Sequence, residues 1–304
     1  MPEMPEVEAL RGFLADQLVG GTVVRALPVA FHVLKTYDPP LAAVEGRTVT
    51  GVARHGKFLD IAFAGGTAGG PAEGGPHLVV HLARAGWLRW LDAVPKAPPR
   101  PGGKGPLALR VVLAGDATGV GAPAGFDLTE QGTQKRLAVY CVRHPSDVPG
   151  VARLGPDPLD PTLTPAAFAA LLRTERRQIK GVLRDQSVLA GIGNAYSDEI
   201  LHAARMSPFK LAARLTEEEA VGLHAAMTGT LREAVERSRG LAAGRLKAEK
   251  KTGLRVHGRA GQPCPECADT VREVSFADSA LQYCPTCQTG GKPLADRRLS
   301  RLLR

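Results

Sequence analysis

The chain has 304 residues, 44% of them hydrophobic, enough for a sizeable core and for two domains. Lys and Arg number 39 against 30 Asp and Glu, a formal +9 with a pI near 9.6, which favours polyanionic partners such as nucleic acid or an acidic membrane surface. There is no apolar run long enough to span a membrane and no basic segment leading into an apolar one at the amino end, so a cytoplasmic protein without a membrane span is expected.

The amino end reads MPEMPEVEAL. Removal of Met1 ahead of the small Pro2 would leave a free secondary amine, with the Glu3 carboxylate beside it. Residues 5–20 predict a helix: Val7, Leu10, Leu14 and Leu18 recur on one face, Pro5 suits a first turn, and Gly20-Gly21 suits a stop. On that helix Glu6 and Glu8 also have a plain role, since carboxylates in a first turn favour the helix dipole.

From 22 to about 143 the pattern turns to short strands: TVVRALPV, RTVTGVARHG, KFLDIAF, HLVVHLA, GWLRWLDAV, LALRVVLA and RLAVYCVRH. Gly/Pro-rich loops separate several of them, at 65–76, 95–106 and 115–125, and are expected to be mobile. Many short strands behind one helix suggest a sandwich or barrel. Lys57 enters a strand in RHGKFLDIAF, where a lone lysine commonly sits at a solvated edge. Cys141, inside a strand, reads as a buried thiol.

HPSDVPGVARLGPDPLDPTLTP, rich in Pro and Asp and without a period, reads as a linker. Helices follow: PAAFAALLRTER with Thr164 as its cap, IKGVLRDQSVL, NAYSDEILHAARM, and a long one opened by the Thr216/Glu219 capping box. Between the second and third lies DQSVLAGIGNAYSDEIL, where Gly191, Gly193 and Asn194 make a tight turn into a helix. Backbone N–H groups at such a start can hold a phosphate, and Asn194 can cap the helix or donate to a DNA backbone.

The densest local signal is C-x2-C-x16-C-x2-C, formed by Cys264, Cys267, Cys284 and Cys287 around a strand–turn–strand. Four thiolates at that spacing fit one tetrahedral structural zinc, closed to catalysis. Disulfides are disfavoured in a cytoplasmic chain. The hairpin is too small for a core, so metal would supply its folding energy. A basic tail, 292–304, ends the chain.

The amino-terminal PEMPEVE, the Gly-Lys at 56–57, DQ-x4-GIGNAYSDEIL and GRAGQPCPEC…YCPTCQ together resemble the formamidopyrimidine-DNA glycosylase/endonuclease VIII family, in the same order and over the whole chain. The resemblance implies an α+β protein. An N-terminal catalytic β-sandwich with a leading helix would occupy 1–145, followed by a linker at 146–165. A helix–two-turn–helix DNA-binding domain would take 166–252, a zinc-finger β-hairpin 253–291 and the basic tail 292–304.

It also implies a monomeric, nucleoid-associated enzyme that flips a damaged base out of DNA, excises it and cuts the strand. The Pro2 nitrogen would attack C1′ and form an iminium, the electron sink for elimination. Glu3 would act as proton donor and shuttle, Glu6 would position or polarise the amine, and Lys57 would contact the flanking phosphate or assist the chemistry. Arg136, Lys180 and Asn194 would clamp the DNA backbone.

Three departures from the family pattern touch lesion reading. HLARAG (81–86) puts Arg84 where a gap-filling methionine is expected. QKRLAVY (134–140) lacks a phenylalanine wedge and offers Leu137. Ser279 stands at the hairpin tip in place of an arginine, which Arg255, Arg259 or Arg272 could replace. Two other classes stay open: a non-catalytic protein that binds damaged or structured DNA, and a zinc-dependent interaction module without a nucleic-acid partner.

Overall fold

The computed structural model of the chain describes residues 1–65, 74–103, 105–115, 123–276 and 280–295. Parts of the loops at 65–76, 95–106 and 115–125, the hairpin tip with Ser279, and most of the basic tail lie outside the described residues. The chain forms two compact units, each with its own core. The first comprises Met1–Pro2, Glu6–Arg153 and Ser238–Lys247; the second comprises Glu3–Pro5, Leu154–Arg237 and the described part of Ala248–Arg304.

Helix α1 spans Met4–Leu18. Its expected stripe is buried: Val7, Leu10, Leu14 and Leu18 are each at most 1% exposed. Gly20, at φ +85°, allows the chain to leave the helix in a left-handed turn.

Eight strands make the first unit: β1 Val23–Pro28, β2 Val49–His55, β3 Phe58–Phe63, β4 His77–His81, β5 Gly86–Leu91, β6 Leu107–Leu113, β7 Gly125–Glu130 and β8 Ala138–Val142. They pair into two four-stranded antiparallel sheets, in the orders β1-β6-β7-β5 and β2-β3-β4-β8. Inward residues of both sheets, such as Ile61, Leu78 and Val139 from one and Leu109, Phe126 and Leu128 from the other, share a core with the α1 stripe. That is a β-sandwich behind a leading helix.

The strand β7, GFDLTE, is not among the seven segments expected from sequence. It carries two carboxylates, yet Asp127 is 5% exposed because Arg110 on the neighbouring β6 clasps it through two bonds of 2.7 and 2.9 Å. Glu130 is buried by accepting the N–H groups of Arg136 and Leu137, at 2.6 and 2.7 Å. A charge paired this well no longer forces its strand outward. Cys141 is the buried thiol expected; its Sγ lies 3.5 Å from the Pro40 carbonyl, and burial pushes it up to about 11.

A single turn, α2 (Pro149–Ala152), closes this stretch of the first unit, and the second unit follows with α3 Pro165–Arg173, α4 Ile179–Arg184, α5 Asn194–Ala203 and α6 Glu217–Ser238. The Thr164 hydroxyl caps α3, accepting from Ala167 N–H at 3.2 Å. The Thr216/Glu219 box closes in both directions at α6, at 3.0 and 3.2 Å. Helix α4 is shorter than the pattern indicated, because Asp185 turns the chain at its end: its carboxylate takes Ser187 N–H and Oγ and the Arg177 guanidinium. The core gathers Phe168, Ile179, Ile192, Ile200, Met227 and Leu231, with Met4 from the amino end.

Helix α7, Leu246–Gly253, has no counterpart in the sequence reading. LKAEKKTG is mostly polar and shows no apolar period, and only Leu246 is buried. Strands β9 Arg272–Ser275 and β10 Ala280–Tyr283 then form the expected hairpin, and a one-turn α8, Pro285–Thr289, follows. Among the described residues no helix is long and apolar enough to cross a membrane.

Candidate active site and metal centre

Within the second unit, the start of α5 is built around the Glu3 carboxylate. The GIGN turn leads into it with Gly191 at φ +92°. Gln186 braces the turn from inside: its Oε1 accepts Gly191 N–H at 2.9 Å and its amide donates to the Ile192 carbonyl at 2.8 Å. Glu3 accepts N–H bonds from Gly193, Ala195 and Tyr196, at 2.7, 2.9 and 3.2 Å. A Cβ at position 193 would lie 2.4 Å from the Glu3 Cδ, so any other residue there would push the carboxylate off its donors. The free donors of a helix start that could have taken a phosphate are therefore taken by Glu3.

An ion pair adds to these donors: Lys250, from α7, sets its Nζ 3.7 Å from Glu3 Oε1 and 4.8 Å above the Tyr196 ring. Sequence reasoning missed Lys250. Nothing in a lysine-rich, aperiodic segment distinguishes one lysine from its neighbours; only the fold brings this one to Glu3. Glu3 is 2% exposed, and Met4 N–H bonds the Gly191 carbonyl at 3.0 Å, so the residue directly after Pro2 is fixed in place. Pro2 itself is buried, with Met1 still attached and 49% exposed.

In the first unit, Glu6 lies in the first turn of α1, as the plain reading has it, but is only 2% exposed, and Lys57, at 8%, is not at a solvated edge. His81 pairs in register with Phe58, directly after Lys57, and its ring centroid lies 4.7 Å from that of Phe58. Burial, and then the Lys57 ammonium, hold the His81 imidazole down at about 4. His81 is thus neutral at physiological pH, and the sequence reading had not singled it out.

The expected DNA contacts divide. Arg84 and Arg136 are exposed on loops of the first unit. Lys180 is not offered to a phosphate: it is 6% exposed, and its ammonium bonds Asp198, Ser197 Oγ at 2.9 Å and the Asn194 carbonyl at 3.3 Å. Asp198 in turn holds His257 Nδ1 at 2.7 Å. Asn194 follows the capping position, which Gly193 occupies, and its amide donates to the Ala280 carbonyl of β10 at 2.8 Å. Arg259 is half-buried, bonding Gln262 at 3.0 Å and the Leu254 carbonyl at 3.3 Å. Leu137 is fully buried in the sandwich core, so it does not stand in for a wedge.

The four cysteines converge. Their sulfurs all lie within 4.8 Å of one another, with Cys264–Cys287, Cys267–Cys284 and Cys267–Cys287 at 3.9, 3.4 and 3.5 Å. A tetrahedral zinc with Zn–S near 2.3 Å sets its sulfurs about 3.8 Å apart, so the cluster fits that ion. His202 on α5 lies 3.3 Å from Cys264 Sγ, placed to donate its Nε2–H to a zinc-bound thiolate.

Comparison with known proteins agrees with this geometry. Residues 1–119 match the formamidopyrimidine-DNA glycosylase N-terminal domain, residues 154–243 its H2TH domain, and residues 261–290 the zinc finger found in FPG and IleRS. With the four-cysteine cluster, the last match gives the chain one structural zinc. A formamidopyrimidine-DNA glycosylase of Thermus thermophilus is 34% identical over 96% of this chain and 100% of its own length. An uncharacterized formamidopyrimidine-DNA glycosylase-like protein of Mycobacterium tuberculosis is 60% identical over 50% of this chain and 94% of its own. The crystal structure of the MutM (Fpg) protein from Thermus thermophilus superposes with a TM-score of 0.75 at 32% identity, covering 96% of this chain and 100% of that one. Three domain matches in one order, full-length relatives above 30% identity and the shared fold make this chain a member of the formamidopyrimidine-DNA glycosylase family.

Proposed function

We propose that the chain is a base-excision-repair DNA glycosylase with AP lyase activity, which removes oxidised or ring-opened bases and cuts the strand through an imine on Pro2. The observation that carries this reading is the Glu3 carboxylate, buried on three N–H donors and one ammonium, one residue away from the proline. Removal of Met1 turns the Pro2 amide nitrogen into a secondary amine. Attack on C1′ of a flipped nucleotide forms the C–N bond as the bond to the base breaks. The iminium that follows draws electrons from C2′ and permits elimination of the 3′ phosphate. Three N–H donors and the nearby Lys250 ammonium favour Glu3 as a carboxylate, so its first act is to accept the amine proton; it then returns that proton to the base or to the ring oxygen.

Glu6 and Lys57 complete the catalytic set, with Lys57 facing the flanking phosphate. Arg84 and Arg136 meet DNA from exposed loops and Arg259 from beside the zinc hairpin, which together with the net charge of +9 favours a polyanion. Asn194 and Lys180 act indirectly, through the hairpin carbonyl and Asp198 that they hold. By function the chain divides into a catalytic region 1–145, a linker 146–165, a DNA-binding region 166–252, a hairpin 253–291 and a basic tail 292–304. It works as a monomer, in the cytoplasm at the nucleoid.

Borohydride reduction on DNA with an abasic site tests this directly. The chain freed of Met1 is expected to yield a covalent protein–DNA adduct, and a chain extended at its amino end is expected to yield none. No adduct from the free chain on abasic or base-damaged DNA, with DNA binding intact, would leave a damaged-DNA-binding protein instead.

A further inference from the structure

The Lys250 ammonium meets Glu3 beside the backbone amides of Gly193, Ala195 and Tyr196, and unlike those amides it can give up a proton. Its side chain is 15% exposed, against 3% for Glu3, and its ammonium rests on the face of Tyr196. Its neighbours on α7 are placed differently: Lys251 is exposed, and Lys247 lies 4.6 Å over the Trp87 ring in the first unit. An ammonium removed from most of its water and set against a carboxylate and an aromatic face is a stored proton beside an acid–base group.

The proposed reaction needs that proton. Pro2, as a neutral secondary amine, carries one N–H. Expulsion of the base and opening of the C1′–O4′ bond each leave an electron pair that must be protonated. One proton comes from the amine by way of Glu3, and the second has to come from elsewhere. On an abasic aldehyde the count is the same: iminium formation releases water, and water takes one proton more than the amine supplies. A Glu3 that starts ionised has no proton of its own to add.

We propose that Lys250 is this second proton source, a further residue of the catalytic centre that works through Glu3. Lys250 passes its proton to the opening sugar or the leaving base along the Glu3 carboxylate, becomes neutral, and recovers a proton from water, while the iminium carries the positive charge. The inference rests on the Pro2 reading above.

Its test measures single-turnover borohydride trapping on abasic duplex DNA across a range of pH, with DNA affinity measured alongside. Lys250→Met is expected to slow trapping by about two orders of magnitude at neutral pH, the lower range of general-acid effects, with affinity within about threefold, and to regain rate as the pH falls and solvent acid substitutes. Lys250→Arg keeps a cation against Glu3 but cannot release a proton, so it is expected to stay slow. Wild-type trapping by Lys250→Met, or recovery by Lys250→Arg, would overturn the proton-source role. The amino-terminally extended chain keeps the two ideas apart, since an adduct formed by that chain defeats the Pro2 reading whatever Lys250 does.

Discussion

At the scale of single residues, burial and pairing decide which groups can do chemistry. Glu3 and Glu199 are both carboxylates held on three backbone N–H groups. Glu199 spends its bonds on Arg255, Val256 and His257, at 2.7, 3.0 and 2.8 Å, pinning the segment that leads to the metal hairpin. Burial pushes the Glu199 carboxyl up while those bonds pull it down; its part is structural. His81 offers a pH test of the first unit. Its folded-state value of about 4 lies below the ordinary 6.5, so between those values the unfolded chain binds a proton that the native chain refuses. Stability therefore falls as the pH drops through that window. His81→Gln removes this site, and thermal melts of the variant should show a shallower fall between about pH 6.5 and 4 than the wild type. Identical slopes would mean that His81 is protonated in the native state.

Among the elements, α5 is the hub of the second unit. Its first turn holds Glu3, Asn194 reaches β10, Asp198 joins Lys180 to His257, Glu199 binds 255–257, and His202 meets Cys264. The zinc hairpin is thus tied along the length of one helix, while among the described residues its own apolar core around the sulfurs is only Val256 and Val271 besides the cysteines. Metal must supply most of its order. A chelator strong enough to take about one zinc per chain is expected to abolish DNA binding while leaving the β-sheet signal in far-ultraviolet circular dichroism. Loss of that signal with the metal would contradict independent cores.

The same elements show what could be read from sequence. The α1 stripe, the two helix caps and the cysteine spacing are local patterns, and each forms as expected. The strand β7 escaped because its carboxylates are held by Arg110 and by the N–H groups of Arg136 and Leu137, outside its own segment, and α7 escaped because its helix lacks an apolar period. For Lys180 and Leu137, local sequence shows neither the buried Asp198 that takes one nor the core that takes the other.

For the molecule as a whole, Pro2, Glu6 and Lys57 belong to one unit, and Glu3, Lys250 and the metal hairpin to the other. The chain passes from the first unit to the second between Pro2 and Glu3, so the proposed nucleophile and its acid–base partner are joined by a single peptide bond. That junction makes the identity of the attacking atom the central claim. The most direct measurement is mass-spectrometric mapping of the borohydride-reduced adduct on abasic DNA after proteolysis. The account predicts deoxyribose mass on the peptide that begins at Pro2, attached through its nitrogen and absent from every lysine-containing peptide. An adduct on a lysine, with the amino-terminal peptide unmodified, would contradict it.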